Sequence, residues 1–458
     1  MVGPKEHRRR LVSLAYPVYF ELLAGVTAGI INMVWVARLG GDAVAAVAVA
    51  TNVENLLLGV ILMAGSGTTV LVARAGGARD RSAVRSAVRG GWALWALITP
   101  IVAVGGYLCR EPLARLVLGG GEGDALALTT GYFAIALPGT AVYFATNVVD
   151  GILKGAGDTR TPMRLALLAN GLILVLDPLF ILGLGMGVRG AAVATVIGRA
   201  VALLWGLLAL HRRELLRPAP REGSGTRLGA DARRTAATGL PMSADFVVRM
   251  AGALALVAVV ARIGVGEVAA YGIATKAMYL ATMAFYAVRQ AAAIHTAHLL
   301  GAGRDERRAV GRQALLVAGA LGLAAALLLL VAGPWIMRGF GAGGEVADAG
   351  ALYLRCLGPY LVLLACFIAL GGVFEGSGGS PALARITACG VLVQLVLAHA
   401  LSGLGLPGVC LAMAGSMALQ CAAVARLYRR AGHAAPAGSA RRKRRTDGAG
   451  VSRRDGAW

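Results

Sequence analysis

The 458-residue chain is 57% hydrophobic and only 15% charged, with a mean hydropathy of +0.70. Soluble domains of that total length would be nearer half apolar and a quarter charged, so composition excludes them. A net charge of +22 would suggest nucleic acid as the partner of a soluble protein. Here the basic segments alternate with apolar runs of about 20 residues, the length that crosses a bilayer. The chain reads as an all-α polytopic membrane protein with no nucleic-acid role.

Hydropathy predicts twelve helical spans, at 11–37, 43–73, 91–109, 125–149, 164–184, 191–210, 236–260, 268–298, 314–333, 350–371, 385–402 and 409–428. Backbone groups in lipid must be satisfied internally, and no segment shows the alternation of a barrel strand. With the N-terminus inside, the inner segments carry 34 Lys and Arg and the outer loops only six. That asymmetry places both termini in the cytoplasm of a bacterial cell with the protein in its plasma membrane. The tail motif Arg441-Arg442-Lys443-Arg444-Arg445 then faces anionic lipid headgroups.

The two halves echo each other. Pro17 to Glu21 reappears as Pro241 to Asp245, and Thr51 as Thr275, each 224 positions on. Gly77-Ala78-Arg79-Asp80 resembles Gly301-Ala302-Gly303-Arg304-Asp305, and Lys154 to Pro162 has a shorter echo in Glu375 to Pro381. Six spans per half make a parallel repeat of two pseudo-symmetric lobes. The expected division is an N-terminal segment 1–10, a first lobe 11–210, a linker 211–235, a second lobe 236–428 and a disordered basic tail 429–458. Pro17 and Pro241 are the candidate hinges.

The external turns Gly185-Met186-Gly187-Val188-Arg189-Gly190 and Gly403 to Gly408 match GxGxxG, but neither follows a strand, so they carry no dinucleotide reading. No GxxxxGK[ST], HExxH or GxSxG occurs, which argues against an ATPase or an intramembrane enzyme. No cofactor is expected. The six cysteines form no CxxC pair, and His295-x-x-His298 lacks a third ligand, so no metal site is expected either.

Charges inside spans are costly and ask for a role. The acids are Glu21, Glu54, Asp177 and Asp245; the cations are Arg199, Arg249, Lys276, Arg289 and Arg355. Asp245 and Arg249 lie four apart on one helix and could neutralise each other. Carboxyl groups withdrawn from water bind protons more readily, which suits ion-coupled transport. Glu54 with its neighbour Asn55, and the cations Lys276, Arg289 and Arg355, are the candidate lining of a substrate cavity.

Several of these segments, together, resemble the multidrug and toxic compound extrusion (MATE) family. They are Pro17-x-x-x-Glu21, Val36 to Gly40, Gly155-Ala156-Gly157-Asp158-Thr159-Arg160-Thr161-Pro162, Leu176 to Phe180, and Gly190 to Thr195. The resemblance implies a monomeric two-lobe antiporter that expels amphipathic organic compounds in exchange for protons or sodium. It also implies a first-lobe cation site at Asp177 and Thr195. Asn32 stands where members usually carry an Asp, and Ile173 where they carry an Asn. These departures favour protons, with Glu21 and Asp245 as further coupling candidates. A lipid-linked saccharide flippase, a distant relative in fold, is the alternative that the cavity cations support.

Overall fold

The computed structural model describes residues 3–118, 123–213, 226–339 and 343–431. The middle of the expected linker and the tail with its Arg441–Arg445 motif lie outside them. Among the described residues, twelve helices are long and apolar enough to span a membrane. The first lobe holds α1 (Pro4–Ala37), α2 (Gly41–Gly77), α3 (Arg81–Leu108), the short α4 (Arg110–Val117), α5 (Asp124–Gly155), α6 (Arg160–Pro178) and α7 (Val188–Arg212). The second holds α8 (Thr226–Ala261), α9 (Val265–Gly301), α10 (Arg307–Gly339), α11 (Gly344–Cys356), α12 (Gly358–Ser377), α13 (Ser380–Ala400) and α14 (Leu406–Ala431).

Several boundaries differ from the hydropathy reading. The segment before residue 11 is not separate, because α1 starts at Pro4, a residue preorganised for a first helical turn. The end of the expected linker, 226–235, likewise forms the first turns of α8. The span expected at 350–371 is two helices broken at Leu357, where Pro359 has no N–H to continue the ladder of α11. Arg355 therefore sits in the last turn of α11, outside the spanning helix.

The loops that join the spans carry their own helix-starting chemistry. Asp80 accepts the N–H groups of Ser82 and Ala83 and so caps α3. Asp158 does the same for α6 through Arg160 and Thr161, after Gly157 turns the chain at φ +85°. Burial pushes the Asp158 carboxyl up, but the Thr161 hydroxyl and N–H, Arg213 and the Arg160 N–H outweigh it and hold it below the usual carboxylate range. The GxGxxG turns are structural as well. Gly185, Gly187 and Gly405 all have left-handed φ, and a Cβ on Gly190 would strike the Phe180 backbone.

The repeat is visible in packing. Gly151 and Gly155 of α5 lie against the carbonyls of Gly65 and Thr69 on α2. Gly372 and Gly376 of α12 lie against those of Arg289 and Ala293 on α9, the residues 224 positions after Gly65 and Thr69. Small residues here allow backbones to approach, as is usual between helices in lipid.

The lobes join at the ends that carry the basic loops. Gly77 of α2 abuts the backbone of His298 on α9, while Gly301 of α9 abuts that of Arg74 on α2. Both pairs are again 224 apart, so the crossing is its own pseudo-symmetry mate. Further along, Gly67 packs on Thr235 and Gly239 on Met63. Ser243 donates to the Gly59 carbonyl, and Asp231 accepts from Ser86 and Arg89. Towards the opposite face Thr51, Asn52 and Leu56 on α2 and Lys276 and Tyr279 on α9 are exposed. This conformer is closed at the basic face.

Candidate functional site

Two polar constellations occupy corresponding places in the lobes, and a third is confined to the first. In that third one, Asp177 ends the regular part of α6. Pro178 removes a backbone donor, and the helix widens into a π-helical turn at Leu179–Gly183, a distortion frequent at functional sites. The Asp177 side chain is 1% exposed. One carboxylate oxygen accepts the Asn32 amide of α1 at 2.8 Å. The other has no hydrogen-bond partner among the described residues. The structure thus joins two residues 145 apart that sequence had placed in one site. Thr195 is not joined to them, because its hydroxyl donates to the Ala191 carbonyl of its own helix at 3.0 Å. Ile173 is buried and apolar beside them on α6.

Nearer the basic face of the same lobe, Glu21 of α1 receives Lys154 of α5 at 2.7 Å. Asp150 stands one turn before Lys154 and keeps a buried oxygen without a hydrogen-bond partner among the described residues, as does Glu21. Of these two acids, only Glu21 is in ion-pair contact with the lysine among the described residues. Sequence reading missed Asp150 and Lys154 because the fourth span was ended at residue 149, whereas α5 runs on to Gly155. The acid–base spacing of four was the available signal.

In the second lobe Asp245, the repeat mate of Glu21, has the opposite surroundings. Arg249 of the next turn, Arg289 of α9 and Thr387 of α13 all donate to it, the last two at 2.7 and 2.5 Å. Arg289 also reaches Glu375 of α12 at 2.6 Å. Glu375 occupies the place that Lys154 has in the first lobe, so an acid replaces a base and Arg289 supplies the missing charge. Arg289 is 6% exposed and is a buried counter-ion, which corrects its assignment to the substrate cavity. Removing one partner from such a network would leave an uncompensated buried charge.

Of the remaining cavity candidates, Lys276 and Arg355 are exposed, Lys276 near the middle of α9 and Arg355 on α11. Glu54 accepts the Tyr132 hydroxyl at 3.2 Å, and Asn55 follows it half-buried on α2. Arg199 of α7 lies 4.0 Å over the Tyr143 ring, a cation–π contact inside the first lobe. Pro17 and Pro241 sit within unbroken helices rather than at breaks. Among the described residues no group of three His, Cys, Asp or Glu is arranged to hold a metal ion.

A profile of the MatE family matches residues 17–179 and 241–399, one block in each lobe. The chain belongs to the MATE family. It is 25% identical over 390 residues to a probable multidrug resistance protein NorM of Thermotoga maritima, with 82% of each chain covered. It is 24% identical over 314 residues, 68% of each chain, to an FAD transporter of Shewanella oneidensis. An outward-facing MATE family multidrug-resistance transporter superposes with a TM-score of 0.86 over 94% of this chain and 97% of that one, at 23% identity. The protein is a multi-pass membrane transporter and not an enzyme. The matches run to MATE transporters and do not favour the flippase alternative.

Proposed function

We propose that this transporter is a proton-driven exporter of amphipathic organic compounds and that Asp177 is its coupling group. The observation that carries the reading is the Asp177 carboxyl, buried in the first lobe with one oxygen on Asn32 and the other without a hydrogen-bond partner among the described residues. An amide can donate to the carboxylate and, after a flip, accept from the carboxylic acid, so Asn32 serves both protonation states. Sodium is less well served. Hard cations take several oxygen ligands, yet Asn32 turns its N–H toward Asp177, residue 173 is Ile, and the Thr195 hydroxyl is engaged elsewhere.

The second lobe supports the same choice by contrast. Asp245 is held by two arginines and a threonine, so a proton or sodium ion would have to displace a fixed cation. Glu21, with Lys154 and Asp150, is a secondary candidate near the basic face. The basic ends are read as cytoplasmic and the membrane as the bacterial plasma membrane, which makes this conformer outward-open. The transporter is read as acting as a monomer, with the lobes at 11–210 and 236–428 and bending at Pro17 and Pro241. Anionic headgroups are its expected lipid partners at the basic face. The relatives named for multidrug resistance support drug-like substrates, and the FAD transporter widens the class to larger polar aromatics.

The test is dye efflux from proteoliposomes after an imposed pH or sodium jump, for the wild type and Asp177→Asn at matched reconstitution. The pH jump should drive the wild type and not the Asn form, which keeps its shape but holds no exchangeable proton. Full efflux by the Asn form would transfer the coupling role to Glu21. A response to sodium alone would reject protons.

A further inference from the structure

The His295-x-x-His298 pair has a partner far away in sequence. His7, in the first turns of α1, is fully buried. Its Nδ1 lies 3.0 Å from Nε2 of His295 on α9, with the rings edge to face. Its Nε2 lies 2.9 Å from a carboxylate oxygen of Glu306, just before α10, although off the in-line hydrogen-bond direction. One imidazole of the first lobe therefore ties two elements of the second, beside the Gly77–Gly301 crossing that closes the basic face. We infer that His7, His295 and Glu306 form a proton-sensitive latch between the lobes, and that acid at the basic face releases it.

The proton count gives the direction. The facing nitrogens of His7 and His295 can share one proton, with one ring donating and the other accepting. A single imidazolium is acceptable there because Glu306 lies against it. When both rings are fully protonated, N–H faces N–H. The bond is lost and two cations stand together in a site water hardly reaches, at the full cost of unmade hydrogen bonds. The other charged groups act the same way. Arg10 on α1 and His298 on α9 add positive charge, while Glu306 is shared with Arg304 at 2.8 Å. The second proton therefore binds better when the lobes part. One linked proton shifts a two-state equilibrium by up to about tenfold per pH unit, within the range where histidines titrate. The latch needs the lobes to alternate, as the exporter reading requires, but does not depend on Asp177.

The test is an interlobe distance measured in the full chain. The six cysteines are replaced by Ala, spin labels are placed through Arg164→Cys and Arg385→Cys on the exposed first turns of α6 and α13, and distances are recorded in lipid nanodiscs between about pH 8 and about pH 5.5. The long-distance population should grow severalfold or more on acidification. His7→Gln and His295→Gln should flatten that dependence, and Asp177→Asn should keep it even while export is lost. Glu306→Gln, which leaves both rings, should move release to higher pH and serves if either His variant folds poorly. A pH-independent wild type, or a His7→Gln protein that responds like the wild type, would overturn the latch. A response abolished by Asp177→Asn alone would also overturn it, placing the sensitivity at the coupling site.

Discussion

Gly301→Ala should open the basic face without harming either lobe. Gly301 lies in the last turn of α9 with ordinary helical backbone, so Ala costs nothing in φ and gains up to about 1 kcal/mol in helix propensity. The added Cβ, however, would meet the Arg74 carbonyl carbon at 2.8 Å and the Ala78 nitrogen at 3.1 Å, with the Arg74 oxygen nearer still. These are backbone atoms of α2 and cannot rotate away. Ordinary contact begins near 3.4 Å, so α2 and α9 must separate by on the order of 1 Å, at an overpacking cost of about 1–3 kcal/mol. Parting the lobes relieves the clash completely. The cost therefore falls on the closed state alone and lowers its population by about 5- to 150-fold relative to the open one. A cysteine introduced at Thr235, fully buried where α8 meets Gly67 and Gly90, reports this in a background free of other cysteines. Its alkylation by a water-soluble maleimide should accelerate by that factor, and export should slow because the outward-open state is rarely reached. Gly76→Ala, whose Cβ would meet nothing within 4 Å, is the matched control and should behave like the wild type. Unchanged alkylation and transport in Gly301→Ala would show that the crossing does not hold the gate.

Arg289→Met should lower stability by about 3–5 kcal/mol, because Glu375 is left charged, buried and without its cation; adding Glu375→Gln should recover part of the loss in a thermal melt of the purified protein. Asp158→Ala should cost about 1 kcal/mol as a lost helix cap. Because the folded carboxyl titrates below its ordinary 3.8, that difference should be complete above pH 3.8 and fade only as pH falls through the folded value, which melts at a series of pH values would show. A reporter fused after Arg430 should be active only inside the cell, and external activity would invert the assigned orientation.

Most of the architecture is legible in the chain itself. Apolar runs of spanning length, the one-sided distribution of arginines and the 224-residue echo depend on local composition and order, and they yield twelve helices in two lobes. The GAGDTRTP segment is equally local, since Gly157 and Asp158 act within a few residues of themselves. The breaks were harder. Hydropathy averages over a window, so it joined α11 to α12 across Leu357 and stopped the fourth span one residue short of Asp150.

Most charge partners were beyond sequence; the exception is Asp245 with Arg249, four apart on one helix. Apart from that arginine, Glu21 and Asp245 look alike in sequence, sharing a proline four residues before them and the same place in the repeat. Only packing decides that one meets Lys154 while the other gains Arg289 as a second cation, a residue that sits where the first lobe has Gly65. The same holds for His7 on His295, 288 apart, whereas Asn32 and Asp177, 145 apart, are placed in one site by the family resemblance and only their hydrogen bond comes from the fold. A helix's apolar face is set by the residues along it, and so can be read from one segment. A buried polar group is satisfied by whichever side chain the fold brings within about 3 Å, and that depends on how separate helices cross.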